Sequence, residues 1–135
     1  MTPEDSVLAA AYAALAEGDV VTDPDRLESY RADRSTGSAV GMPFAVAFPR
    51  TTEQVSALMR AAYEHHVPVV PRGAGSGLTG GSNAIDGSLI VCVEKMREVL
   101  NVDVGNGYVE TQPGIFNTDL REHVATFGLW YAPDP

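Results

Sequence analysis

Residues 44–81 read FAVAFPRTTEQVSALMRAAYEHHVPVVPRGAGSGLTGG, and the succession of patterns inside them decides the fold. Phe44–Phe48 is a short apolar run closed by Pro49, the composition of a strand. In Thr51-Thr52-Glu53-Gln54 a hydroxyl is followed three residues on by a glutamine, which resembles a capping box opening a helix. Val55, Leu58, Met59 and Ala62 then recur at helical spacing as one apolar face, and the pattern runs out at His65-His66. Val67–Val70 is a second strand, stopped by Pro71. Strand, helix and strand in this order form a β-α-β unit, which implies a parallel strand pair with the helix packed across it.

The second strand feeds Pro71-Arg72-Gly73-Ala74-Gly75-Ser76-Gly77-Leu78-Thr79-Gly80-Gly81, with five glycines in the nine residues from Gly73 to Gly81. Glycines let the backbone turn through positive φ and let a ligand approach where a Cβ would stand. Successive N–H groups turned into one concavity bind anions. Ser76 and Thr79 add hydroxyls and Arg72 adds charge, so the loop has the makings of a diphosphate cradle. It is not a P-loop, because no lysine occurs in it. Gly75-Ser76-Gly77-Leu78-Thr79-Gly80 spells the letters of the dinucleotide fingerprint, but that motif must open a helix. Here Ser82-Asn83-Ala84-Ile85-Asp86-Gly87 forms turns and leads to another strand, so Glu94 at a ribose-acid spacing is a coincidence. Dense glycine loops that directly follow a strand and carry hydroxyls are more often functional than mere connections.

Working outward, Thr2-Pro3-Glu4-Asp5 is a helix start, with Leu8, Ala11, Tyr12 and Leu15 on one face and Gly18 as a stop. Asp23-Pro24 opens a second short helix running through Leu27 and Tyr30, and residues 31–44 are irregular. On the other side, Leu89–Val93, Val99–Val102 and Tyr108–Thr111 are strands, the last two joined at Gly105-Asn106-Gly107 into a hairpin. Gln112-Pro113-Gly114 closes that stretch, and Asn117 caps a last helix with Leu120, Val124 and Phe127 inward and Gly128 at its end. The fold class is therefore α+β with mixed strand directions rather than a regular doubly wound sheet. Residues 1–44 form a helical leader and residues 45–135 the main domain.

A chain of 135 residues is one domain long. Its formal net charge of −9 is uneven: eight acids against three bases in residues 1–34, five against five in 35–100, five against one in 101–135. Such an acidic surface excludes nucleic acid as a partner class. The balanced middle, where the glycines cluster, is the region that repels an anion least. A single cysteine, Cys92, excludes a disulfide framework and reads as a small buried strand residue. No apolar run approaches the roughly 20 residues of a membrane span, and the acidic N-terminus does not read as a secretory signal, so a cytoplasmic location is expected.

The loop PRGAGSGLTGG and the β-α-β stretch before it resemble the FAD-binding domain of the vanillyl-alcohol oxidase/PCMH superfamily. TDPDRLESYRADRS, VEKMREVLNVDV, ETQPGIFNTDLREHV and the terminal YAPDP resemble, within it, the N-terminal part of the glycolate oxidase FAD subunit and D-lactate dehydrogenases. The resemblance implies an FAD-dependent oxidoreductase whose flavin accepts hydride from a small-molecule 2-hydroxy acid. It implies that Arg72, Gly73, Ala74, Gly75, Ser76, Gly77, Leu78, Thr79, Gly80 and Gly81 wrap the FAD pyrophosphate, with Gly114, Pro133 and Asp134 also near the cofactor. Members with covalent flavin often carry histidine in this loop; its absence here implies noncovalent FAD. Family members continue past the equivalent of Pro133-Asp134-Pro135 with a Gly-Gly-Asn segment and a substrate-binding cap domain, so the chain reads as a piece truncated at its C-terminus. No catalytic residue and no metal ligand is assigned. His65, His66 and His123 read as helix residues, and Tyr12, Tyr30, Trp130 and Tyr131 as packing residues. The electron acceptor is left open, as is a membrane-peripheral or multi-subunit setting. The alternatives are another alcohol as substrate, or a non-catalytic partner subunit.

Overall fold

The computed structural model describes residues 1–133. Its elements are helix α1 (Pro3–Ala14), strand β1 (Val20–Val21), helix α2 (Pro24–Leu27), strand β2 (Ala45–Ala47), helix α3 (Thr52–Glu64), strand β3 (Val69–Arg72), strand β4 (Leu89–Cys92), strand β5 (Val99–Asp103), strand β6 (Tyr108–Thr111) and helix α4 (Asn117–Ala125). They form two compact units, Met1–Lys95 and Met96–Pro135. Residues 1–44, expected as a helical leader, pack into the first unit, where α1 lies against α3 and β1 joins the sheet.

The first unit is built on a four-stranded sheet in the order β1-β2-β4-β3. β2 and β3 are parallel, as the β-α-β pattern requires, but they are not neighbours: β4 lies between them, with Ala45 and Val69 both in register with Leu89. The reason is hydrophobicity. All four residues of β4 are buried, so it takes the centre, where both faces are covered. Alternate residues then feed two cores. Ala45, Ala47, Leu89 and Val91 meet Val7 and Ala11 of α1 and Leu58, Ala61 and Ala62 of α3. Val46, Ile90, Val70 and Cys92 face the other way, onto Val21, Leu27, Phe48 and Ala84. Complete burial of a side chain such as Leu58 or Ile90 stabilises the unit by about 1.5–3 kcal/mol.

β1 pairs antiparallel with β2, which makes the sheet mixed. Pro71 does not stop β3 but lies within it, opposite Val91. β3 is an edge strand, and half the backbone N–H groups of an edge have no ladder partner, so proline is tolerated there.

Local chemistry accounts for the helix ends. Thr2 and Asp5 complete a capping box on α1. At α3, Thr51 accepts from the N–H of Gln54, but the Gln54 side chain accepts from Arg50 rather than from the cap residue. The buried faces differ from the expected ones by a position or so. Val7 and Ala11 are buried on α1 while Tyr12 is 55% exposed, and Ala61 joins Leu58 and Ala62 on α3 while Met59 is exposed.

In the second unit β5 and β6 form the expected antiparallel hairpin, with an irregularity between Val99 and Asn101. Asn117 is the first residue of α4 and not its cap; Phe116 stands at that position and offers no side-chain acceptor. Leu120 and Val124 are buried, Phe127 is exposed, and Gly128 ends the helical turns as expected, with the Leu129 N–H donating to Val124 and the Gly128 N–H to Ala125. Among the described residues no helix is long and apolar enough to cross a membrane.

Candidate functional site

The glycine loop leaves the C-terminal end of edge strand β3 and returns to central strand β4 without forming a helix, which removes the dinucleotide-fingerprint geometry. Gly73, Ala74, Ser76, Gly77, Leu78, Thr79 and Gly81 are exposed, with Leu78 74% accessible, while Gly75 and Gly80 are half-buried. A cleft of about 530 Å³ runs beside the end of the loop, along Val69–Pro71, Gly80 and Gly81 and the segment Ala84–Asp86. A larger groove of about 690 Å³ lies on the helical side, lined by Ala10 of α1 and by Thr52, Ser56, Ala57 and Arg60 of α3.

The five glycines separate into two groups by what a Cβ would meet. At Gly75, with φ +67°, it would collide with the Arg72 guanidinium. At Gly80, with φ +80°, it would stand 2.9 Å from Ser38 Cβ and Oγ and 3.3 Å from Asn83 Nδ2. At Gly77 it would meet the Asp33 carboxylate at 3.3 Å. Gly75 and Gly80 are demanded by the chain's own packing, whereas at Gly77, which lacks positive φ, the Asp33 side chain would only have to give by a few tenths of an ångström. At Gly73 a Cβ would meet nothing within 4 Å, at Gly81 only Thr79 Oγ1 at 4.0 Å, and neither residue has positive φ. Among the described residues nothing internal accounts for those two, which is what a ligand approaching the backbone would require.

Arg72 is placed differently from a free phosphate cation. Its side chain is buried beneath the loop, where Nη1 donates to the Ala32 carbonyl at 2.9 Å and the guanidinium lies 5.9 Å from the Tyr30 ring centroid. Cys92 is enclosed below the same loop, its Sγ 3.8 Å from the Gly73 carbonyl oxygen. Burial pushes its thiol up to about 11, so it is an inert core group at neutral pH.

The irregular segment 31–42 supplies partners that the sequence did not announce. The Arg34 N–H donates to Gly77, the Ala84 N–H to Arg31 and the Gly41 N–H to Ala84. Buried Asn83 accepts from the Asp33 N–H at 2.8 Å and donates to Ser35 Oγ and the Ala39 carbonyl, and Asp86 accepts from the Met42 N–H at 2.7 Å. The Asp33 carboxylate accepts from the Ser35 N–H at 2.8 Å. A segment of irregular backbone is thus stitched to the loop. The only sequence signal for it was the Asp-x-Ser spacing of Asp33 and Ser35, a local side-chain turn.

Of the other expected cofactor positions, Gly114 belongs to the second unit, where its N–H donates to the Met96 carbonyl. Pro133 is exposed there and its carbonyl accepts from Arg121 at 3.1 Å. Asp134 lies outside the described residues. His65 and His66 end α3, and His123 rests on α4 with its ring 5.6 Å from Phe127. Tyr30 packs edge-on against Phe48 at 5.3 Å, whereas Trp130, expected as a packing residue, is 82% exposed. Among the described residues no cluster of His, Cys, Asp or Glu could hold a metal ion.

Residues 43–135 match the family model described as FAD binding domain. The chain belongs to this family, as an FAD-binding domain of the PCMH type related to the glycolate oxidase and D-lactate dehydrogenase group. It is 35% identical to glycolate oxidase subunit GlcD of Bacillus subtilis (strain 168), over 85% of this chain and 26% of that one. It is 33% identical to D-2-hydroxyglutarate dehydrogenase of Stutzerimonas stutzeri (strain A1501), over 87% of this chain and 25% of the relative. The chain therefore spans about a quarter of the length of these relatives. A solved structure of alkyldihydroxyacetonephosphate synthase superposes with a TM-score of 0.86 at 20% identity, covering 97% of this chain and 26% of that one, a likeness of fold alone. The chain carries the α+β architecture of the N-terminal part of such domains.

Proposed function

We propose that this chain holds the diphosphate of noncovalent FAD in an oxidoreductase acting on a 2-hydroxy acid such as glycolate or D-lactate. The observation that carries the cofactor assignment is the pair Gly73 and Gly81, whose missing Cβ atoms answer to no internal contact. Ser76 and Thr79 stand exposed on the same loop as hydroxyl donors. The substrate class rests on the two relatives named above, each named for a 2-hydroxy acid. Bound flavin supplies the redox chemistry, accepting hydride from the α-carbon of the substrate. The residues of this chain bind and orient: the loop backbone meets the phosphates, Arg72 props the loop from below, and the stitched segment 31–42 sets its path. The absence of histidine from residues 72–81 supports noncovalent attachment, and the charge-balanced residues 35–100 are the part of this acidic chain that repels an anionic ligand least.

Titrating FAD and then ADP into the isotope-labelled 135-residue chain tests the cofactor part, since amide shifts detect even weak uptake. The expected outcome is a change concentrated at residues 73–81. No change there at millimolar FAD overturns the assignment. A full-length protein containing this chain is expected to purify yellow and to be bleached anaerobically by glycolate or D-lactate; a yellow protein bleached only by other alcohols would redirect the substrate class.

A further inference from the structure

One group at the site has a role that the cofactor reading does not supply. Asp33 lies in the irregular leader, fifty residues from Asn83 in sequence, yet its backbone N–H is held by Asn83 Oδ1 at 2.8 Å. Its Oδ1 accepts from the Ser35 N–H, and its Oδ2 is enclosed, 3.3 Å from where a Gly77 Cβ would stand and without a hydrogen-bond donor among the described residues. The neighbouring Arg34 N–H grips the Gly77 carbonyl at 2.9 Å. The carboxylate therefore sits enclosed against the glycine loop at Gly77.

We propose that Asp33 is a positioning residue, an internal carboxylate that holds residues 77–82 in the shape that receives the diphosphate of the cofactor. The proposal rests on the FAD reading for the identity of the ligand, though not for the anchoring itself. A loop of glycines has many accessible shapes and loses much entropy when one is selected. A carboxylate is the side chain suited to select it, because each oxygen can accept from more than one N–H and charge-assisted bonds are the strong ones. The ionised state is maintained: the hydroxyl and backbone N–H of Ser35 hold the Asp33 carboxyl below its ordinary value, and the backbone N–H groups of Ser82 and Gly80 act in the same sense. The cost is electrostatic. A negative charge beside the loop repels a phosphate bound to it, so charge alone would make Asp33 unfavourable to the ligand. Its presence is accounted for by shape.

That conflict of signs gives the test. In Asp33→Asn the charge is removed at constant size, and the amide now presents an N–H toward the loop. If Asp33 positions the loop, FAD affinity of the chain falls by about tenfold or more, because a neutral amide weakens the turn at Ser35 that sets the Arg34 grip on Gly77. If Asp33 acts only through its charge, the affinity rises. At pH 7 the amide signals of Ser35, Gly80 and Ser82 are expected to shift in the variant while those of Leu89–Cys92 stay in place, and in the wild-type chain the same three amides should titrate together in acid. Unmoved loop amides, or an affinity equal to or above wild type, overturn the proposal. Should the wild-type chain take up no FAD while these amides still report Asp33, the cofactor reading fails and the anchor stands.

Discussion

At the residue scale, the five loop glycines are not equivalent, although they look alike in the sequence. Gly75 and Gly80 combine positive φ with close neighbours, so Gly75→Ala and Gly80→Ala should each destabilise the chain by about 1–2 kcal/mol, read as a lowered melting temperature. Gly73 and Gly81 have room and ordinary backbone. Gly73→Ala and Gly81→Ala should leave melting unchanged and weaken FAD uptake by about tenfold, or ~1.4 kcal/mol. The reverse pattern would show that the open glycines serve the fold and not a ligand. Arg72 belongs to the same lesson. From the sequence it was a cation next to a phosphate loop; in the structure its charge is spent on the Ala32 carbonyl and the Tyr30 ring, beneath Gly75.

At the element scale, the short strands of the first unit are tied at one end by a buried charge. Asp19, 2% exposed, precedes β1; it binds the Arg50 guanidinium through both oxygens, at 2.7 and 3.1 Å, and also Lys95, so it joins the ends of β2 and β4. The Arg50 hydrogen bond leads in holding the Asp19 carboxyl below its ordinary value, with Lys95 adding to it against the cost of burial. A carboxyl with a depressed folded-state value contributes stability above its unfolded value and loses it as pH falls through the folded one. Wild-type stability should therefore decline below about pH 4. Asp19→Asn should cost about 2 kcal/mol at pH 7, because its partners are partly solvated, and should flatten the acid limb of the curve. Urea melts of both proteins between pH 3 and 7 would check this, and equal acid slopes would remove Asp19 from the account. None of this tie was visible beforehand, since residues 19, 50 and 95 are linked only by the strand order.

At the scale of the whole molecule, both buried clusters and the four-stranded sheet lie within Met1–Lys95, while Met96, Leu120 and Val124 are the buried apolar residues of the second unit. The first unit should consequently fold alone. Residues 1–95 expressed separately are expected to unfold cooperatively and to keep dispersed amide signals for Leu89–Cys92; a non-cooperative melt would show that the second unit is required.

What was legible in advance followed from short-range physics. The helix starts at Thr2 and Thr51, the hairpin at Gly105-Asn106-Gly107, the turn ending at Gly128 and the refusal of the glycine loop to open a helix depend on residues within a few positions of one another. The family followed as well, because its motifs recur in order along the chain. Tertiary structure alone decided that β4 enters between β2 and β3, that the 31–42 segment is the support of the loop, and which glycines the fold itself consumes. Each of these is a contact between residues tens of positions apart, chosen by burial of the most apolar strand and by pairing of enclosed polar groups, and local pattern carries no record of either. The glycines of the loop stood in the sequence; the contacts of Asp33, Asn83 and Arg72 around that loop exist only in the folded chain.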